Sequence, residues 1–448
     1  MQPTIKGISK RIILSILLMG FMSQIFSQST TPILDSNFEE ALVNLNIDTN
    51  GLNGNILNSD ASQVFHLNVS YEYIQDLSGI EAFTSLKTLN CSNNDLSLLD
   101  ISQNNHLEEL KANDNSLSSI NVSSNTKLSV LELASNSLSS IDVSGNFSLT
   151  DLSVSLNNLS TIDVSANSNL EFLGCYSNFI EDLNLLSNTQ LRYLHVDFND
   201  LNELDLSQNF NIKTVSCSGN NLSALSTEYN TELSYLDCRN NNITSLDLNT
   251  NTDLERLFVC YNNINEIDLS NAPELLFFYA KFNNLTTLDI SNNPVLKRIK
   301  CEGNNLSTVD FRNGNNVNIS EFIMTDNSNL SCIFVDDANA SFLANWLIDD
   351  ISAFVENESD CEALSIDEAN SDVFTFDMFP NPATENISIS IQTQEAKLEM
   401  YSLKGQLMHS QNLAYGRNDI SLDAYSSGLY LVKIISEETS ETKKLLIY

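Results

Sequence analysis

Four histidines, one tryptophan, six prolines and 13 glycines in 448 residues leave little material for several common kinds of site. His66, His106, His195 and His409 are scattered, with no zinc spacing, phosphate loop or nucleophile elbow around them. No catalytic set, metal or cofactor is therefore expected, and a hydrolase built from dispersed groups such as His195, Asp197 and Asp237 is the weakest reading. So little proline and glycine excludes a collagen-like or low-complexity chain, and the 42% apolar content is that of folded protein in two or three units. Basic residues are scarce too, 21 against 58 acidic ones, for a formal charge of −37. A field of that sign repels phosphate and anionic lipid, so nucleic acid is not an expected partner.

No apolar run reaches the ~20 residues of a membrane span. The run Ile12 to Met22 follows Lys6, Lys10 and Arg11 and precedes the small residues Ser23 and Ser27, the layout of a secretory signal peptide over residues 1–27. Losing it leaves 18 basic against 58 acidic residues, a charge of about −40. No cysteine precedes Cys91, so the lipid-carrying cysteine of a bacterial lipoprotein is absent.

What the chain has in abundance is a repeat. Leu86, Leu107, Leu128, Leu149, Leu170, Leu191, Ile212, Leu233, Leu254, Leu275 and Leu296 open segments spaced by 21 residues without slippage. Each reads L-x-x-L-x-(apolar or C)-x-x-N-x-L. A divergent copy precedes them at Val64, Leu67, Val69 and Ile74, and another follows at Ile319, Phe322 and Met324 after a two-residue insertion. Alternating apolar positions specify a short strand with one buried face, and 21 residues leave no room for a returning helix. The return is expected through a second extended segment, the phrase Leu99-Asp100-Ile101-Ser102 and its copies. Asparagine fills the ninth position in every regular unit: Asn94, Asn115, Asn136, Asn157, Asn178, Asn199, Asn220, Asn241, Asn262, Asn283 and Asn304. A turn plunging inward strands backbone polar groups that a buried amide can satisfy, so this column is structural.

These residues resemble the leucine-rich repeat family over residues 64–330, in a 21-residue form like that of secreted Bacteroidota proteins. The resemblance implies a mainly β solenoid of flat coils on a parallel sheet, capped at both ends. Residues 28–63 fit the N-terminal cap, with Phe38, Ala41, Leu42 and Leu45 at helical spacing after Asp35 and Ser36. Asp48, Asn50 and Gly51 lack the later ligands of a calcium loop and read as a turn. Residues 331–361 are similar to the family's C-terminal cap, with an amphipathic stretch of Phe342, Trp346, Leu347, Ile351 and Phe354 between Cys332 and Cys361. That likeness pairs Cys332 with Cys361. Cys91, Cys175, Cys217, Cys238 and Cys301 occupy buried positions as small hydrophobes, whereas Cys260 follows Val259 and is expected to emerge on the strand side.

Positions three, five, seven and eight should line the concave face. There the later units carry Tyr176, Tyr193, His195, Tyr235, Arg256, Phe258, Tyr261, Phe277, Tyr279, Lys281, Phe282, Arg298 and Lys300. Exposed aromatics interleaved with cations are the residue types of binding hot spots, so a protein or glycan ligand is expected here. The stacked column Asp100, Asp142, Asp163, Asp205, Asp247, Asp268, Asp289 and Asp310 should be solvated, bonded to local amides or bridged by cations.

After an acidic linker at 362–373 the register stops, and residues 374–448 alternate as a small antiparallel β-sandwich, with Ile387, Ile389 and Ile391 inward. Phe379-Pro380-Asn381-Pro382, Leu403-Lys404-Gly405, Gly428-Leu429-Tyr430-Leu431 and Lys443-Lys444 resemble the type A C-terminal sorting domain of the type IX secretion system. The resemblance implies dealings with that machinery, export to the outer surface or release, and covalent attachment to surface lipopolysaccharide as one fate. The chain is expected to be a monomer whose repeats recognise or adhere to a partner, with glycan capture as the alternative.

Overall fold

The computed structural model describes residues 28–364, 376–436 and 439–448 and divides into two units between Ser148 and Leu149. The expected signal peptide, 1–27, lies outside the described residues, as does most of the linker. Among the described residues no helix is long and apolar enough to cross a membrane.

The first unit begins with strand β1 (Thr30–Pro32), helix α1 (Ser36–Asn44), strand β2 (Asn55–Leu57), which pairs antiparallel with β1, and the short helix α2 (Asn58–Ala61). Asp35 starts α1 by accepting the N–H of Asn37 and Phe38 on one carboxylate oxygen. Its other oxygen accepts the N–H of Gln75 and Asp76, which ties the helix to the first coil. Phe38 and Leu42 are fully buried as the lid requires, but Leu45 ends the helix half exposed. The loop after Asp48 closes on protein groups: Glu39 Oε1 accepts the N–H of Asn53, Gly54 and Asn55. Strands β3 (His66–Asn68), β4 (Thr88–Asn90), β5 (Glu109–Lys111) and β6 (Val130–Glu132) then form a parallel ladder with Leu67, Leu89, Leu110 and Leu131 buried at their centres.

The second unit continues the pattern from β7 (Asp151–Ser153) through β8 (Phe172–Gly174), β9 (Tyr193–His195), β10 (Thr214–Ser216), β11 (Tyr235–Asp237), β12 (Arg256–Phe258) and β13 (Phe277–Tyr279). The return strand β14 (Thr287–Asp289) comes next in the chain, and β15 (Arg298–Lys300) pairs with β13. Each coil sits in register on the next, so Thr214 lies beside Tyr235 and Phe277 beside Arg298. The return phrase becomes hydrogen-bonded strand only late, in β14, β16 (Thr308–Asp310), β18 (Cys332–Phe334) and β19 (Ala353–Val355), which form a four-stranded sheet. The two-residue insertion is absorbed before β17 (Glu321–Ile323), which pairs with β15 as Arg298 beside Glu321. The fold class read from the repeat, a mainly β parallel solenoid with few helices, is the one observed.

Two asparagine columns link the coils. In the ninth-position column, Asn178 Nδ2 donates to Cys175 O in its own coil and Val154 O in the preceding one, both at 3.0 Å, while its Oδ1 accepts the Leu159 N–H at 2.9 Å. Asn199 and Asn220 repeat that geometry. The sequence reading missed the other column, at position 19. Asn188, Asn209, Asn230 and Asn251 are buried, and each Nδ2 donates to two carbonyls of the coil before, as Asn209 does to Leu185 O (3.2 Å) and Asn188 O (2.9 Å).

The C-terminal cap holds the Cys332–Cys361 disulfide, joining β18 to helix α3 (Glu358–Leu364). Its expected amphipathic stretch is not continuous. A 3-10 turn covers Ser341–Asn345, and the chain then extends so that the Leu347 N–H reaches Phe322 O. Trp346 consequently lies over Phe322 with ring centroids 4.1 Å apart, while Leu347 and Ile351 are left largely exposed. Beyond residue 376 an antiparallel sheet is built on the long strand β21 (Asn386–Ser402), flanked by β20 (Asp377–Phe379), β22 (Leu407–Ser421) and β23 (Gly428–Ser436), with β24 (Thr439–Ile447) beyond β23. Ile387, Ile389 and Ile391 point into its core with Leu398, Met400 and Val432.

Candidate ligand-binding face

The 13 residues singled out at positions three, five, seven and eight all fall between Phe172 and Lys300 on one face of the second unit, in columns set by the coil register. They do not form one uniform patch. The coil of Thr214, Ser216, Ser218 and Gly219 carries small side chains, and it separates Tyr176, Tyr193 and His195 from the denser group that begins at Tyr235. Within that group Phe258 meets Tyr235 at 5.6 Å and Tyr279 at 5.0 Å, and Tyr261 stacks on Phe282 at 4.9 Å with planes 18° apart.

Position eight explains how rings come to lie along the ladder. Its backbone is left-handed in coil after coil, with φ of 54° at Ser177, 52° at Phe198, 65° at Gly219, 52° at Asn240, 58° at Tyr261, 52° at Phe282 and 69° at Gly303. The turn into the asparagine column demands that conformation, which costs an ordinary L-residue roughly 1–2 kcal/mol and a glycine almost nothing. The two glycines follow phenylalanines for a second reason. A Cβ on Gly219 would sit 2.7 Å from the Phe198 ring and one on Gly303 2.5 Å from the Phe282 ring, so each ring lies over the bare backbone of the next coil.

The polar groups are more fully paired than the sequence suggests. Asp197 accepts Ser216 Oγ at 2.7 Å and Ser218 through both N–H (3.0 Å) and Oγ (2.7 Å). Asp237, buried, is gripped by the guanidinium of Arg239 through Nε at 2.9 Å and Nη2 at 2.5 Å. His195 packs on Phe172 at 5.6 Å. The carboxylates a hydrolase would need beside His195 are thus committed to serines and to arginine. Lys281 pairs with Glu302, which holds its ammonium above the ordinary value, and Lys300 pairs with Glu321 at 2.6 Å. Arg239 and Glu302, absent from the sequence-based set, share the seventh-position column with Lys281, and that register was the signal for them.

Cys260 departs from expectation. The residue is only 4% exposed, and burial pushes its thiol above the usual range. Position seven does face the strand side, but Cys260 is short and stands in its column between two long neighbours, Arg239 and Lys281, whose side chains pair with Asp237 and Glu302. The sixth-position thiols are deeper still, with Cys91 and Cys175 pushed up to about 12 by burial. On the opposite edge, the aspartate column is bonded to local amides: Asp100, Asp142, Asp205, Asp268 and Asp289 each accept the N–H of the serine two residues on at 2.9 Å.

Comparison with known proteins agrees with this layout. No curated protein matches the sequence. Among solved structures, the functional domain of InlJ from Listeria monocytogenes, described as including a cysteine ladder, is 21% identical, covering 94% of this chain and 99% of its own, with a TM-score of 0.63. An internalin, inlF, from the same organism is 19% identical over 70% of this chain and 100% of its own, with a TM-score of 0.61. At such identity the likeness shows fold alone. Residues 377–448 match the family of secretion system C-terminal sorting domains. The chain thus joins a solenoid with the leucine-rich repeat fold to a segment of the sorting-domain type that marks it for type IX export to the cell surface or beyond.

Proposed function

We propose that this exported solenoid is a recognition protein that binds a protein partner through the aromatic face between Phe172 and Lys300, and that it does not act as an enzyme. The observation that carries the reading is the content of position eight. Asparagine or glycine would satisfy its left-handed backbone at lower cost, and Asn240 and Gly219 show that the fold accepts both. Phe198, Tyr261 and Phe282 stand there instead, 60%, 51% and 45% exposed. Large rings kept in water on a strained backbone serve something other than stability. Aromatic anchors of this kind dominate protein interfaces.

The same observation supplies the test. In Tyr261→Asn/Phe282→Asn the backbone keeps a residue that tolerates φ near 55°, so the melting temperature should hold or rise while binding falls. The full chain, displayed against protein and glycan arrays, should retain protein ligands that the double variant releases. Undiminished binding by the variant would move the site elsewhere, and retention of glycans alone would replace the protein partner with a glycan-capturing role.

A further inference from the structure

Resting on that reading of the face, one spot within it has a chemistry of its own. Among the cations in the second unit's concave columns, Arg239, Lys281 and Lys300 each pair with a carboxylate of the same chain. Arg256 and Arg298 do not: both are exposed, and neither has a carboxylate within salt-bridge reach among the described residues. Acid is at hand, since Glu321 lies in register beside Arg298, yet its carboxylate goes to Lys300. In a chain with 58 acidic residues, two bare guanidiniums on one ladder are an exception.

Their placement is specific. Arg256, Phe277 and Arg298 are consecutive in the third-position column, and both guanidiniums lie 5.5 Å from the Phe277 ring centroid. Stacking on the ring holds each plane in place and leaves its N–H edges to the solvent, the arrangement that receives a carboxylate through two parallel hydrogen bonds. Because the guanidiniums occupy the ring, Phe277 is poorly placed to stack on a sugar, which favours a polypeptide over a glycan at this spot. The two arginines are two coils apart, about 9.6 Å at the usual strand spacing. Side chains on one face of an extended peptide repeat at about 6.7 Å, and the length of the arginine and glutamate side chains spans the difference.

We propose that Arg256 and Arg298 form a paired carboxylate receptor, and that the partner presents an acidic extended segment with carboxylates on alternate residues. The chain's own negative field keeps non-specific polyanions away, so the receptor selects for a short acidic segment carried on a surface that otherwise fits.

The probe is a fluorescent peptide with glutamate at alternate positions, titrated into the full chain by anisotropy, with polygalacturonate as the glycan arm. Wild type should bind the peptide, more weakly as salt rises. Arg256→Ala/Arg298→Ala should bind it about tenfold or more weakly, equivalent to about 1.4 kcal/mol, with the fold intact and a melting temperature lowered only slightly, because both side chains are exposed and give up only their stacking on Phe277. Arg256→Lys/Arg298→Lys should fall between, having charge without the planar fork. No binding by wild type, equal binding by the alanine variant, or binding of polygalacturonate alone would each overturn the proposal. Failure here is separable from failure of the wider reading: array ligands lost in Tyr261→Asn/Phe282→Asn but kept in the arginine variant would leave the recognition face standing without its acidic partner.

Discussion

A single amide does much of the linking in this solenoid, and the two asparagine columns show how a residue type can be read correctly at one position and overlooked at another. Position nine was legible because it falls inside the strand motif, where a polar residue between buried leucines needs a reason. Position 19 recurs with the same period, but it sits among serines and small residues in a stretch that resembles any polar turn, so its burial could not be inferred locally. Asn209→Ala would remove two buried inter-coil hydrogen bonds, to Leu185 O and Asn188 O, leaving those carbonyls only the N–H groups of Asn188 and Leu191. The expected loss is about 1–3 kcal/mol in a denaturant titration, against within about 0.5 kcal/mol for the exposed control Asn202→Ala. Cys260 illustrates a different limit. Alternation gives the direction of a side chain, but exposure depends on the length of its neighbours in the column, and those lie 21 residues away in either direction.

Periodicity carried the prediction of strands well and that of caps less well, because a cap is a single copy with no repeat to average over. The N-terminal helix was readable from Asp35 and the spacing of Phe38, Ala41 and Leu42. The C-terminal stretch gave an amphipathic pattern that the structure breaks at Trp346, since Phe311 and Phe322 hold that ring in place from outside its own segment. That residue is the only tryptophan in the chain, and it lies within the loop closed by Cys332 and Cys361. Reduction of the disulfide, whose ends are 29 positions apart in sequence, should release about 3–4 kcal/mol of loop-closure stabilisation. In a guanidinium titration with reductant, tryptophan emission should then shift red at lower denaturant than in the oxidised protein. A coincident transition under both conditions would show that the cap does not depend on the bond.

At the scale of the whole molecule, the aspartate column makes stability depend on acid. Serine two residues on holds the carboxyls of Asp100, Asp142, Asp205 and Asp268 below their usual range, chiefly through its backbone N–H at Asp100 and Asp205 and chiefly through its hydroxyl at Asp142 and Asp268. A depressed folded pKa contributes stability that is complete above the unfolded value, about 3.9, and is lost as pH falls through the lower folded value. Melting temperature should therefore decline as pH drops below about 4, and Asp100→Asn/Asp205→Asn should flatten that decline. The ninth-position amides have one more effect. Beyond its own coil each bonds only to the coil before it, so part of a coil's backbone is satisfied by its successor. Cutting the chain back from either side strands ladder N–H groups, since those of Arg192 and Tyr193 donate to Glu171 O in the coil before and that of Cys175 to His195 O in the coil after. Only a cut from the C-terminal side also removes the amides that satisfy inward-turning backbone such as Val154 O and the Leu159 N–H. At that end the last N–H groups, of Asp326 and Asn327, terminate on the carboxylate of Asp349, inside the disulfide-closed loop. This asymmetry of the amide column is matched by a covalent clasp at the trailing end of the solenoid and a helix at its start.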